Sequence, residues 1–526
     1  QCSVPCSQLS LSLVSNRFVL MTANALRTFV LTICSIVCLA ARSEPLWLDG
    51  ERATPQARAV IEAMQSADEY GLRPADYALK LQDADIRAVL STRSEPATRE
   101  QFDAALSAAV ARFVHDLHSG RIEPSRVGFH LPVRSLDVET TLKRLATSDN
   151  VAAMLASLEP APAPYRRLKS ALATYRALAT DTDLTRLPSL PARSLKEGDS
   201  YSGAPQLRRL LAAVGDLTDS AVNAETIFDA TLADAVRNFQ RRHGLTVDGI
   251  IGPKTFAALT TPLQVRVEQV ELSMERWRWL AQLEKPSIAV NIPQFMLFTL
   301  PSKNEPNIEP LEMRVIVGET QQRSQTPVFT TSITQVVFQP FWDVPRSILL
   351  RELLPRIRKD ISYLDKNDME IVRGDSDSAR VVEPTPEAIE ALAAGKLRLR
   401  QRPGPKNSLG PVKFVMRNPF NVYLHATPQQ ALFEHAQRTF SHGCVRVSEP
   451  RALTGYVLRT SGKAWDDAEI EAAFCRSDTL RVTLPRPIDV VIFYATAVVA
   501  ESGEVYFFED VYGHDRKLRT LIATTS

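Results

Sequence analysis

A chain of 526 residues is longer than one hydrophobic core ordinarily serves, so two or more domains are expected. Apolar residues make up 44% and charged residues 23%, the balance of an ordinary globular protein rather than a disordered or fibrous one. The formal net charge is only +2 and no basic tract stands out, which argues against a nucleic-acid partner.

The first twenty residues carry Cys2 and Cys6, and Met21 then opens a segment with Arg27 and a short apolar run, 28–41, followed by Arg42 and Ser43. A basic start, a short apolar core and small residues at the end form the pattern of a secretory signal. Residues 1–43 are therefore expected to be an over-extended start plus a signal, with Met21 as the natural beginning, and the protein to be exported to the periplasm. The run falls short of the ~20 residues that span a bilayer, yet an uncleaved signal holding the chain at the inner membrane stays open. Cutting the signal removes Cys34 and Cys38 with Cys2 and Cys6 and leaves Cys444 and Cys475, so no disulfide scaffold is expected. Cys475 reads as an apolar helix position, with a regulatory bridge to Cys444 as an alternative.

Residues 44–195 are Ala-rich and read as helical. Thr98 and Gln101 suggest a capping box, after which Phe102, Leu106, Val110, Phe113 and Leu117 recur at helical spacing up to Gly120. No catalytic constellation occurs here, so the segment is expected to be a positioning scaffold. Pro188 and Pro191 mark a linker. Residues 201–262 then read as a three-helix unit: Leu207, Leu210 and Leu211 lie on one face, Leu232, Val236 and Phe239 on a second, and Pro253 begins a third helix. The string from Ala235 to Leu245, with Asp248 to Pro253, resembles the small peptidoglycan-binding module of wall enzymes, and that resemblance implies wall binding. The residues alone give a bundle, in which Asp248 and the glycines serve turns equally well. A connecting helix, 263–286, follows.

From Ser287 the pattern changes to short β-branched runs at 288–292, 295–300, 313–317 and 331–338. Trp342 is expected in the core rather than lining a site. Between 346 and 410 the strands give way to helical stretches at 348–357 and 386–392, and an insertion of this length suggests a lid, with a decorative helical hairpin as the alternative. Strands resume at 412–416 and 420–424 and again beyond 480, with a tail at 516–526.

Between these strands lies His425 to Cys444, a segment with one thiol, three imidazoles and a glycine before the thiol. A cysteine attacks as thiolate and needs a base, for which His425 and His442 are the candidates. Gly443 permits an unusual turn, and backbone N–H groups there could hold the oxyanion of acyl transfer. A zinc site from His425, His435, His442 and Cys444 lacks the usual short ligand spacings, so no metal and no organic cofactor is expected.

His425, a fifteen-residue gap and then Ser441-His442-Gly443-Cys444 resemble the catalytic motif of the L,D-transpeptidases with a YkuD-type domain. The strings at 70–74, 120–124, 290–293 and 341–345 resemble the large, scaffold-bearing, YcbB-like subgroup. The family usually continues with a hydrophobic residue and Asn, whereas this chain has Val445 and Arg446. The resemblance implies a multidomain α+β protein: helical scaffold, three-helix peptidoglycan-binding module, and a β-rich YkuD-like catalytic domain, 287–515, with an inserted lid.

It further implies that Cys444 attacks a peptidoglycan tetrapeptide stem at its third residue, releases D-Ala, and passes the acyl group to an amine of a second stem. His425 is the expected base with His442 as second candidate, Ser441 would orient a histidine, and Gly443 with the Cys444 amide would hold the oxyanion. Arg446 and Tyr423 are the substrate-binding candidates, with a structural ion pair as the alternative for Arg446. Stem peptides, glycan and wall-synthesis enzymes are the implied partners, and acylation by carbapenems is implied as well. A hydrolase using the same thioester and a non-catalytic wall-binding scaffold are the rival readings.

Overall fold

The computed structural model describes residues 45–91, 95–218, 221–281, 287–300, 309–321, 323–463 and 465–525. The expected signal with Met21, Cys34 and Cys38, and the preceding Cys2 and Cys6, lie outside the described residues. The protein is a multidomain α+β molecule in which helical regions precede a β-rich domain.

The first core belongs to residues 47–158. Along the helix Pro96–Ser119, the stripe Phe102, Leu106, Val110, Phe113 and Leu117 is fully buried against Trp47, Tyr77 and the helices Pro55–Gln65 and Val151–Leu158. The capping box does not form. Pro96 occupies the first turn, where its fixed φ and missing N–H suit a helix start, so Glu95 is the cap and Thr98 falls inside the helix. Gly120 ends it at φ +90°, where a Cβ would meet Glu275 Oε1 at 2.8 Å.

The second core ignores the divisions that composition suggests. It joins the helix Ala163–Ala179, the module helices Ala204–Ala213, Ala230–Arg242 and Pro253–Leu259, the front of the helix Leu263–Leu280, and a hairpin of Ala497–Val499 with Val505–Phe507. Within the module, the Gln240 side chain pins the turn at 248–250. Its Nε2 donates to Asp248 Oδ1 (2.8 Å) and Ile250 O (3.0 Å), while its Oε1 accepts from the N–H groups of Asp248 and Gly249. Asp248 and Gly249, at φ +73°, therefore build a turn.

The helix Leu263–Leu280 runs through the middle, giving Val267, Val270 and Met274 to the second core and Leu272 and Trp279 to the third. Several of its charges are buried in pairs. Glu275 is 0% exposed, meets Arg278 at 3.0 Å and Arg121 at 3.6 Å, and accepts from the backbone N–H of Ile122. Arg276 meets Asp515, which also accepts from Thr496 Oγ1, and Arg242 meets Asp216.

The third core fills a closed ring of eight strands: Glu312–Gly318, Val445–Val447, Leu424–His425, Val412–Met416, Phe329–Phe338, Leu480–Phe493, Ile288–Asn291 and Met296–Thr299, which pairs back to the first. Thr439–Ser441 adds to Glu312–Gly318 from outside the ring. The expected tail is instead a helix, His514–Thr525, because Leu518 and Ile522 fall four residues apart on one face and are buried in this core.

The insertion is more than a helical hairpin. It contains a four-stranded sheet, in the order Trp342–Asp343, Arg398–Gln401, Met369–Arg373, Arg380–Val382, packed on helices through its own core of Leu349, Leu353, Ile357, Ile371, Leu392 and others. A π-helical turn, Leu349–Leu353, precedes Pro355, whose ring and missing N–H disfavour a tight α-helical turn there.

Candidate active site

Three neighbouring strands of the ring set out the site. Lys413 stands opposite His425, and His425 opposite Arg446, in register. Alternation puts these three on one face and sends Phe414, Leu424, Val445 and Val447 into the core. Tyr423 and Cys444, one step before their strands, continue the polar face.

Cys444 is half-buried, with Sγ 3.7 Å from the Asn421 carbonyl and with both the backbone and the side chain of Tyr423 hydrogen-bonded to it. Burial pushes the thiol pKa up. Tyr423, Lys413 and Arg446 pull against that shift without reversing it. The Tyr423 phenol is itself held well above its ordinary range, by burial first and the neighbouring thiol second. Lys413 Nζ lies 3.9 Å over the Tyr423 ring, and burial lowers its pKa.

His425 is 5% exposed, and its Nδ1 lies 2.6 Å from the Ala426 carbonyl. A carbonyl only accepts, so the hydrogen is assigned to Nδ1 and the lone pair of the neutral ring to Nε2. Burial, and next the Arg446 charge, push its pKa down to about 3, against the opposing pull of the Ala426 and Leu409 carbonyls. At neutral pH it is an uncharged base.

The other candidates have different partners. His442 is exposed, and its Nε2 lies 2.7 Å from Oε1 of Glu352 on the insertion. His435 is exposed against the Phe440 ring. Ser441 does not orient a histidine: its hydroxyl donates to the Cys444 carbonyl and accepts from the Gly443 N–H at 3.1 Å. The Gly443 amide, expected as an oxyanion donor, is thus engaged within the turn, and its carbonyl accepts from Thr326 Oγ1 at 2.9 Å. Gly443 sits at φ +118°, which disfavours any residue with a Cβ.

Arg446 is not in an ion pair among the described residues. Its Nη1 donates to Gln429 Oε1 at 2.8 Å, and its buried Nε has no partner. Cys475 is exposed at the end of the helix Asp467–Phe474 rather than packed, and both cysteines are free. Among the described residues no group of three or more His, Cys, Asp or Glu is placed to hold a metal.

Three further residues reach the site from distant chain. Lys413 had a sequence signal, a lysine between Val412 and Phe414 in an otherwise apolar strand. Trp342, expected in the core, is half-buried and hydrogen-bonded to Tyr423. Glu352 carried no signal, because nothing local links it to His442.

A family model described as "L,D-transpeptidase catalytic domain" matches residues 285–463, one described as "Scaffold domain" matches 40–172, and one described as "Putative peptidoglycan binding domain" matches 201–259. A Haemophilus influenzae protein named "Putative L,D-transpeptidase" is 31% identical over 209 residues, 40% of this chain and 41% of that protein. The N-acetylmuramoyl-L-alanine amidase CwlM of Mycobacterium tuberculosis is 41% identical over 73 residues, 12% of this chain and 18% of that one. The chain thus spans less than half the length of these curated relatives. A solved structure described as "Structure of the Ldtfm-avibactam carbamoyl enzyme" overlaps 62% of this chain and 98% of its own at 11% identity, with a TM-score of 0.17, too low to carry an argument.

Proposed function

We propose, from the premise that the chain carries an L,D-transpeptidase catalytic domain beside scaffold and peptidoglycan-binding domains, that it cross-links peptidoglycan stems through a Cys444 thioester. The observation that carries this reading is a half-buried thiol on a sheet face shared with a buried, uncharged imidazole and two cations that form no ion pair among the described residues.

The donor is a tetrapeptide stem. Arg446, with its open Nε, and Lys413 hold its carboxylates. The raised thiol pKa and the depressed imidazole pKa make the resting pair neutral, so the proton leaves Sγ for His425 Nε2 only as sulfur attacks the carbonyl of the third residue. The Cys444 N–H steadies the oxyanion. The amide C–N bond then breaks, His425 returns the proton to the departing amine, and D-Ala leaves a thioester behind. An amine on the third residue of a second stem attacks that thioester, joins two third-position diamino acids and restores the thiol.

Such an enzyme acts in the periplasm, free or held at the inner membrane by an uncleaved signal, alongside other wall-synthesis enzymes. A strained β-lactam carbonyl would meet the same thiol, so carbapenems are expected to acylate Cys444. The deciding experiment is mass spectrometry of wild type and Cys444→Ala incubated with disaccharide tetrapeptide. Cross-linked dimer with released D-Ala from wild type alone supports the proposal. Tripeptide without dimer makes the protein a hydrolase, and unchanged substrate with sacculi retained by both proteins makes it a wall-binding scaffold.

A further inference from the structure

Charges of opposite sign stand on the residues next to Cys444 and on the insertion. On the sheet side stand Lys413 and Arg446, neither in an ion pair among the described residues. Two residues before Cys444, the insertion brings a carboxylate, Glu352, 2.7 Å from His442 Nε2, with the two side chains 37% and 33% exposed. Glu352 sits in the π-helical turn Leu349–Leu353, a widened geometry that recurs at functional positions. A carboxylate accepting at Nε2 assigns the hydrogen to that nitrogen and leaves the lone pair on Nδ1.

The two histidines are thereby set apart in access and in wiring. His425 is enclosed, with Nδ1 against a backbone carbonyl, whereas His442 is open to solvent and bound to the insertion. A donor stem brings carboxylates, which the sheet side suits. An acceptor brings a primary amine, which arrives from water as an ammonium ion and must lose a proton before its nitrogen can attack.

We propose that Glu352 and His442 form the acceptor half of the site, with His442 as the catalytic base and Glu352 as a positioning residue that fixes its tautomer and draws in a cationic primary amine. The proposal rests on the transpeptidase reading above. In this step His442 Nδ1 takes one proton from the ammonium, the amine nitrogen bonds to the thioester carbon, and the C–S bond breaks. The second amine proton passes to the departing Sγ and restores the thiol. Through Glu352 the insertion thus takes part in the second half-reaction.

The test uses the full chain as wild type, Glu352→Gln and Glu352→Asp, with disaccharide tetrapeptide as donor and as acceptor. Intact-protein mass spectrometry follows formation of the Cys444 adduct, and product analysis follows its partition between dimer and tripeptide. For Glu352→Gln, adduct formation should stay within about threefold of wild type while transfer to the stem amine falls about 100-fold and tripeptide gains over dimer. Glu352→Asp should recover part of the transfer. Hydroxylamine, unprotonated at neutral pH, should capture the thioester in Glu352→Gln nearly as fast as in wild type, a rescue that a merely loosened structure would not give. Adduct formation and transfer falling together, or a partition equal to that of wild type, would overturn the proposal. A wild type that forms no adduct overturns the transpeptidase reading, and this inference with it.

Discussion

Two regions of the molecule bury charge, and they treat it in opposite ways. Around the helix Leu263–Leu280 most deeply buried cations meet a carboxylate: Arg278 and Arg121 meet Glu275, Arg276 meets Asp515, and Arg242 meets Asp216, while Arg266 donates instead to Gln269 Oε1 and the Ala258 carbonyl. Some N–H groups of the paired guanidiniums go unmatched, but each of those has its acid. On the sheet face beside Cys444, Lys413 and Arg446 lie in partly buried positions where burial lowers both pKa values, and neither forms an ion pair among the described residues. Removing a cation from water costs several kcal/mol unless a partner offsets it. Charge answered within the chain holds three cores in one arrangement, whereas charge left open is completed by what binds.

The widest separation between the regions is in stability. Glu275→Ala should cost about 3–5 kcal/mol, because it strands Arg278 without its acid, and chemical denaturation would show the lowered midpoint. A loss under about 1 kcal/mol would break the comparison, since the hub would then owe little to its pairs. Arg446→Met should do the reverse: stability level or raised by about 1 kcal/mol, and kcat/KM for the donor stem down about 100-fold, read by D-Ala release.

Acid titration probes the site next. The folded-state pKa of His425 is about 3 against an ordinary 6.5, so the folded protein binds fewer protons than the unfolded chain between those values. Its contribution is complete above pH 6.5 and drains as pH falls, with about 2 kcal/mol gone by about pH 5. His425→Gln should flatten that part of the stability profile relative to wild type, and parallel profiles would refute the enclosed neutral imidazole. The smallest effect is expected from Lys413→Met, with donor turnover down about tenfold and no loss of stability, because its ammonium is shared between the Tyr423 ring, the thiol and the donor and forms no ion pair among the described residues.

What the sequence made legible was whatever a short stretch of chain determines. His425 and Ser441 to Cys444 stood out because the thiol, the imidazoles and the turn glycine lie within twenty residues, and the stripe from Phe102 to Leu117 because helix packing repeats locally. What stayed hidden depends on pairing between distant segments. Trp342 and Glu352 join the site through the insertion, and its strands Arg380–Val382 and Arg398–Gln401 are too short and too basic to show a β pattern. The capping box at Thr98 failed because a proline two residues earlier set the helix start. The second core was illegible for a further reason: it is assembled from four stretches that composition assigns to four different parts.

The hairpin that completes that core, Ala497–Val499 with Val505–Phe507, is followed by Asp515, the acid that answers Arg276. Ribosomes deliver the chain from its other end. The helices of the module are therefore finished some 240 residues before the strands that cover them exist, an interval fixed by residues 259 and 497. Until then Phe239, Val267 and Met274 have no hairpin to pack against, and Arg276 waits for its carboxylate. Residues 497–515 thus close the helical body, because a chain that stops short after building Cys444 has every residue of its catalytic face and an unclosed helical body behind it.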